Sequence, residues 1–158
     1  MKIDFPKLAA SVIACELAGV AGSVFTVQSI PTWYAALQKP AFSPPNWVFA
    51  PVWTTLYLLM GIALYLVWEN GLQKKEVRVA VCVFGLQLFL NALWSFLFFG
   101  LRSPGLAFVE IILLWLSIAA TTALFYRISK TAGLLLTPYV VWATFAAALN
   151  YYVWMLNA

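Results

Sequence analysis

The stretch from Trp33 to Trp68 reads W-Y-A-A-L-Q-K-P-A-F-S-P-P-N-W-V-F-A-P-V-W-T-T-L-Y-L-L-M-G-I-A-L-Y-L-V-W. Two kinds of sequence meet in it. Pro40, Pro44 and Pro45 each remove a backbone donor and push the preceding residue toward extended geometry, so the first part is expected to be a stiff, non-helical, aromatic loop. The second part, Trp47 to Trp68, is an apolar run long enough to cross a bilayer, with a Trp at each end. A loop that feeds straight into a membrane helix can act as a lid, and the other apolar segments then read as the walls beneath it.

Composition requires lipid as the solvent. The chain has 158 residues, 65% of them hydrophobic and 9% charged, and a mean hydropathy of +0.93. Soluble domains carry roughly a quarter charged residues, so one compact membrane domain spanning the whole chain is the natural count. The net charge of +4 is spread through short loops with no dense basic run, which argues against nucleic acid as a partner. The chain contains no histidine. That excludes Ser-His-Asp and Cys-His catalysis and the usual zinc and haem ligation, and no metal site is expected. Cys15 and Cys82 both fall inside apolar segments and read as small packing residues.

Five apolar segments can be marked, at about 8–30, 47–68, 77–99, 104–126 and 134–156. Each is close to the ~20 residues that a ~30 Å hydrocarbon core demands, and none alternates with period two, so all five are expected to be helices. Ser29-Ile30-Pro31, Glu69-Asn70-Gly71, Arg102-Ser103-Pro104 and Arg127-Ile128-Ser129-Lys130 mark the interruptions. Pro51 is tolerable in the first turns of its helix, whereas Pro138, a turn inside the fifth, is expected to bend it. The first segment is too long for a cleaved signal peptide and carries Glu16 within it, so it is expected to remain as a span. Lys2, Lys7, Lys74, Lys75, Arg78, Arg127 and Lys130 fall on one side and Lys39 and Arg102 on the other. By the positive-inside rule the N-terminus is cytoplasmic in a bacterial cell membrane; in a bacterial or mitochondrial outer membrane the rule carries less weight.

Polar and aromatic groups at membrane depth give the candidate site. Gln87, Asn91 and Ser95 are spaced by four on the third helix, with Trp94 adjoining. Trp142, Ala146 and Asn150 share a face of the fifth, with Phe145 and Leu149 beside it, and Phe49, Trp53 and Tyr57 line up on the second. At ~1.5 Å per residue, Trp53, Asn91, Asn150 and Ala146 lie roughly 9–15 Å below the outer ends of their helices. Three helices thus bring aromatic rings and amides to the same outer half, under the Pro-rich loop. An aromatic-walled pocket is the economical reading. Plainer roles stand beside it: each amide could be an interhelical hydrogen bond, Trp47, Trp68 and Trp154 fit an interface belt, and Trp53, Trp94, Trp115 and Trp142 divide between packing and pocket. Small residues on the first helix (Ala14, Ala18, Gly22 and Cys15, Gly19, Ser23) allow close backbone approach, within the bundle or between protomers. Of the two acids inside segments, Glu110 is expected to reach the interface and Glu16 to be protonated or hydrogen-bonded inside the bundle.

The stretch W-Y-A-A-L-Q-K-P-A-F-S-P-P-N-W-V-F-A-P-V-W-T-T-L-Y resembles the first loop and second helix of the TspO/MBR family, the translocator proteins once called peripheral-type benzodiazepine receptors. The runs Q-L-F-L-N-A-L-W-S-F-L-F-F and P-Y-V-V-W-A-T-F-A-A-A-L-N-Y-Y-V-W resemble its third and fifth helices, so the likeness covers nearly the whole chain. It implies an all-α bundle of five transmembrane helices, usually a homodimer, with a cavity closed by the first loop. It also implies ligands such as protoporphyrin IX and other tetrapyrroles, sterols and flat synthetic drugs, with no cofactor required. Carried over by position, the pocket would include Trp33 and Tyr34 of the loop, Trp53 and Tyr57, then Gln87, Asn91 and Ser95, and Trp142, Phe145, Ala146 and Asn150. One departure stands out. Tyr151 and Tyr152 are followed by no Lys or Arg, so the animal-type sterol motif is incomplete, and the uncharged C-terminus looks bacterial.

Three functions follow from that likeness. The first is a membrane receptor or sensor for porphyrins, whose flat rings suit walls of Trp, Tyr and Phe. The second is light-dependent porphyrin breakdown, in which the ligand supplies the photochemistry and Trp53 and Trp142 are the candidates for oxidation; no acid-base or nucleophile constellation supports other catalysis. The third is transport of porphyrins or sterols, against which stands the lack of an inverted repeat.

Overall fold

Leu-, Val- and aromatic-rich runs with their backbone polar groups satisfied internally give helices wherever the sequence lacks Pro and Gly, and that is what the computed structural model contains. It describes residues 3–158; Lys2, one of the residues used above to assign orientation, lies outside the described residues. The helices are α1 (Phe5–Ser29), α2 (Phe49–Trp68), α3 (Lys75–Ser95), α4 (Pro104–Ile128), α5 (Lys130–Leu135) and α6 (Thr137–Asn157). Five continuous spans result, at Phe5–Tyr34, Asn46–Trp68, Lys75–Gly100, Pro104–Ile128 and Lys130–Asn157, each long and apolar enough to cross a membrane. The protein is an integral membrane protein, and no strand occurs among the described residues.

Two boundaries differ from expectation, both at proline. Pro31 does not end the first helix. The helix runs on through a π turn, Ile30–Tyr34, with Pro31 in its first positions, and Thr32 Oγ1 donates to the carbonyls of Gln28 (2.9 Å) and Ser29 (3.5 Å). Trp33 and Tyr34 therefore sit on the end of the helix rather than in the loop. The fifth span breaks two residues earlier than Pro138: Leu136 stops α5, and Pro138 occupies the first turn of α6, where its missing N–H costs nothing.

Around the bundle α1 packs on α2 and α3, α3 on α4, α4 on α6, and α2 on α5, so the five spans close a ring in the order first, second, fifth, fourth, third. The main core is built from Met60, Ala63, Val67, Val77, Phe84, Ile118, Phe125 and their neighbours in the inner half, with Phe84 stacked on Phe125 at 5.4 Å. A second, smaller core caps the outer end. There the π turn of the first span meets a second π turn, Phe96–Gly100, which continues α3. Tyr34 packs edge-on against Phe98 and Phe99, and Ser29 Oγ donates to the Phe99 carbonyl at 2.9 Å.

The small-residue stripe on α1 serves the bundle. Gly22 backs on Ser95, and a methyl group at Gly19 would fall 2.5 Å from the Tyr57 ring. Ala14 and Ser23 of the same stripe are exposed. Cys15 is buried as expected, but Cys82 is exposed on the surface of the bundle.

Candidate functional site

Between the two cores the outer halves of α1, α2, α3 and α6 do not close, and a cavity of about 330 Å³ remains. Its walls come from four helices. Phe49, Trp53 and Tyr57 project from α2; Asn91, Trp94 and Ser95 from α3; Trp142, Ala146, Leu149 and Asn150 from α6. Tyr34, Phe98 and Phe99 of the two π turns complete it at the outer end. The rings brace one another: Phe49 meets Trp142 edge-on at 6.0 Å, Trp53 lies tilted on Tyr57 at 5.7 Å, and Trp94 stacks on Phe98 at 5.2 Å.

The fourth wall is α1, which contributes Glu16, Gly19, Val20, Ser23, Thr26, Val27 and Ile30. Sequence reasoning placed only a packing stripe there. The signal was present: Glu16, Gly19, Ser23 and Thr26 recur at intervals of three or four, a small and polar face on a helix otherwise clad in Val, Ile and Leu.

Ten of the thirteen expected site residues line the cavity, and three do not. Gln87 lies one turn deeper, fully buried, where its Oε1 accepts from Tyr139 and its Nε2 meets Met60 Sδ at 3.7 Å. Trp33 stands outside the cavity and supports it from behind, edge-on to Phe98 at 5.7 Å. Phe145 turns to the far side of α6, where it flanks a shallow groove against α2 and meets Phe42 edge-on at 6.1 Å. Of the four interior tryptophans, Trp53, Trp94 and Trp142 line the cavity. Trp115 does not; its indole N–H donates to Thr144 at 2.8 Å and ties α4 to α6.

The amides turn out to be ties between helices. Tyr57 donates to Asn91 Oδ1 (2.5 Å), Asn91 Nδ2 donates to the Tyr139 hydroxyl (2.7 Å), and Tyr139 donates to Gln87 Oε1 (2.9 Å). Trp94 Nε1 donates to Asn150 Oδ1 at 2.9 Å, and Asn150 Nδ2 donates to the Pro104 carbonyl at 2.8 Å. These side chains present their flanks to the cavity while their hydrogen-bonding capacity is largely spent. The Trp142 indole N–H is different: it is buried and has no partner among the described residues. A buried donor left unmade costs roughly 1–3 kcal/mol, so the site carries a standing demand for an acceptor.

Glu16 also lines the cavity and makes no hydrogen bond or ion pair to any described residue. Glu110 is not at the interface as expected. It is 6% exposed, and both carboxyl oxygens are buried without a partner among the described residues.

The loop after the first span lies across the outer end of α6. Asn157 clasps Gln38 from both sides, its Oδ1 accepting from the Gln38 N–H (3.0 Å) and its Nδ2 donating to the Gln38 carbonyl (2.9 Å). Phe42 packs edge-on against Tyr152 at 5.4 Å, and Lys39 Nζ sits 4.6 Å over the Tyr34 ring. The exposed residues of the cavity wall are Val20, Ser23 and Val27 of α1 opposite Asn46, Ala50 and Thr54 at the start of the second span, so the mouth lies between those two helices. The arrangement can hold a flat apolar body between rings, offer one N–H to an acceptor, and exclude water from both.

The profile of the TspO/MBR family matches residues 11–155. Over 152 residues the chain is 51% identical to the "Tryptophan-rich protein TspO" of Archaeoglobus fulgidus, covering 96% of this chain and 97% of that one. It is 47% identical over 126 residues to the "Translocator protein" of Ovis aries, covering 79% and 75%, and 34% identical over 157 residues to the "Tryptophan-rich sensory protein" of Cereibacter sphaeroides, covering 99% and 95%. Together with the five-span bundle and the aromatic cavity, these matches show that the chain belongs to the TspO/MBR family.

Proposed function

We propose that the protein is a membrane receptor or sensor that takes a flat, hydrophobic, tetrapyrrole-like ligand from the bilayer into the cavity beneath the first loop. The observation that carries this reading is the unpartnered Trp142 N–H in a wall of Trp, Tyr and Phe rings. Stacking on such walls favours an extended π-system, and the free donor fixes its orientation. A cavity of about 330 Å³ is at the low end for ligand pockets, so a macrocycle would enter edge-first and keep one edge in the mouth between α1 and α2. The sensory name of the Cereibacter sphaeroides relative supports the same class.

Titrating the purified protein with protoporphyrin IX in the dark, read by tryptophan fluorescence, tests it. Saturable quenching weakened about tenfold by Trp53→Ala is the expected result; quenching that never saturates, or ignores Trp53, would sink the reading.

A second reading is light-dependent breakdown of the bound porphyrin. Trp53 and Trp142 share the cavity wall and would touch the ligand, which favours it. Loss of porphyrin absorbance on illumination, abolished in the Trp53→Phe, Trp142→Phe double variant, would establish that reading over the sensor. We place the protein as a homodimer in a bacterial cell membrane with its N-terminus cytoplasmic. An alkaline phosphatase fused after Ala158 should then be active outside the cell.

A further inference from the structure

We infer that Glu16 sets the charge selectivity of this cavity, so that its ligand carries a protonated amine or another hydrogen-bond donor at the inner end and any carboxylates at the mouth. The inference rests on the cavity described above and deepens the proposed reading by naming the polarity of the ligand it takes.

Charge is distributed unevenly along the site. Among the described residues Glu16 is the only Asp, Glu, Lys or Arg in the cavity wall. It lies one turn inward of Gly19, which abuts the Tyr57 ring, and so marks the inner end. The groups facing that end from the other helices are already committed: the Tyr57 hydroxyl donates to Asn91 Oδ1, and Asn91 Nδ2 donates to Tyr139. The nearest basic residue on α1, Lys7, is held by Glu69 (2.9 Å) and Asp4 (3.2 Å), about two and a half turns further inward. At the outer end Lys39 lies over the Tyr34 ring. The cavity therefore has an acid with no partner inside and a cation near its outer rim.

A carboxyl group at membrane depth is costly unless something satisfies it. Nothing in the described chain does so for Glu16, and a ligand can. An ammonium or N–H donor placed there gains a charge-assisted hydrogen bond away from water. A ligand carboxylate placed there sets two acceptors of the same kind against each other with no donor between them. The Trp142 N–H, with no partner of its own, offers an acceptor site elsewhere in the same wall. The ligand class is then an aromatic body with a donor toward Glu16 and an acceptor toward Trp142, its acidic substituents kept outside.

The test compares protoporphyrin IX, its dimethyl ester and its amine-terminated diamide on the wild type and on Glu16→Gln. Because Glu16 has no partner among the described residues, the variant is expected to keep its thermal midpoint, which is checked first. In the wild type the diamide should bind about tenfold tighter than the ester, and the ester tighter than the diacid. Glu16→Gln should abolish the preference for the amine and leave the ester within about threefold. An unchanged ranking in the variant, or a diacid that binds tighter than the ester in the wild type, would overturn the inference. A second pair of probes separates it from the porphyrin reading: dansylcadaverine and its N-acetyl form, followed by dansyl emission. If no porphyrin binds but the free amine binds in a Glu16-dependent way, the porphyrin reading fails and the charge rule stands. If the two dansyl probes bind alike, the charge rule fails whatever the porphyrins do.

Discussion

The two halves of the α1–α2 pair obey opposite rules. In the inner half the helices touch: the Cα atom of Gly61 faces Val12 so closely that a methyl group there would lie 2.6 Å from the Val12 Cα. Lys7 bridges to Glu69 at 2.9 Å, and the Asp4 N–H donates to the Tyr65 hydroxyl at 3.1 Å. In the outer half Phe49 and Trp53 stand where Gly61 stands below, and the helices part around a cavity. Small residues bring backbones together, and rings hold them apart. The same pair of helices thus supplies stability at one end and a binding site at the other, and substitutions should separate the two properties.

The sharpest break is Gly61→Ala. Its Cβ would meet backbone atoms of Val12, which cannot rotate away as a side chain can, so the α1–α2 seam must open. Overpacking of this kind costs about 2–3 kcal/mol, read as a lower thermal midpoint in detergent. Gly85→Ala is the control, because nothing lies within 4 Å of the added methyl, and it should lose nothing. Equal losses for both would mean that the close approach is not what holds the inner half.

Asn91→Leu tests the boundary between the halves. It leaves the buried Tyr57 hydroxyl without its acceptor and takes a donor from Tyr139, which still donates to Gln87. A loss of about 1–3 kcal/mol in chemical denaturation is expected, with weaker ligand binding because the Tyr57 ring forms part of the wall. A variant that binds less well without being less stable would make Asn91 a ligand contact rather than a tie between helices.

Hydropathy and length made the five spans legible, because lipid admits few alternatives to a helix. Proline was the weak point. Pro31 reads as a stop, yet the helix continues through a π turn, and beside it Ser29 docks onto Phe99, seventy residues away in sequence. Depth and helical period gave most of the site, since residues spaced by four on three helices had to converge. They could not distinguish Asn91 from Gln87, one turn apart on the same face. Nor could they show that Phe145 lines only the α2 groove while its neighbour Trp142 lines both the groove and the cavity, because a helix of mean apolar character has no marked polar side to fix its rotation. The α1 wall was missed because a small-residue stripe reads as packing, and only the rings opposite it show that part of the stripe lines open space.

Trp142→Phe addresses the outer half alone. It removes a buried N–H that the chain leaves unpartnered, so stability should be unchanged or higher by about 1 kcal/mol, while porphyrin affinity falls about fivefold. Stability and binding then move in opposite directions, which no substitution in the inner half should do. A clear loss of stability would mean that the indole N–H has a partner after all, such as an ordered water.

The smallest effect lies at the very end of the inner clasp. Asp4 caps α1, its Oδ1 accepting from the Lys7 N–H at 3.2 Å, and its Oδ2 pairs with Lys7 Nζ at 3.2 Å. The backbone hydrogen bond from Lys7, followed by the hydrogen bond and charge of the Lys7 side chain, holds the Asp4 carboxyl below its ordinary value. A lowered folded-state value means that the contribution is present above the unfolded pKa of about 3.9 and is lost as the pH falls through the folded one. The carboxylate is solvent-exposed, so salt screens it and the contribution is slight. The thermal midpoint of Asp4→Asn should therefore lie just below that of the wild type at neutral pH, and the gap should close as the pH is taken below the carboxylate range. High salt should shrink the gap, because it comes from the pairing with Lys7 Nζ, while the cap itself is kept by the Asn side chain. A gap that persists in acid would assign the role of Asp4 to packing around Tyr65 rather than to its charge.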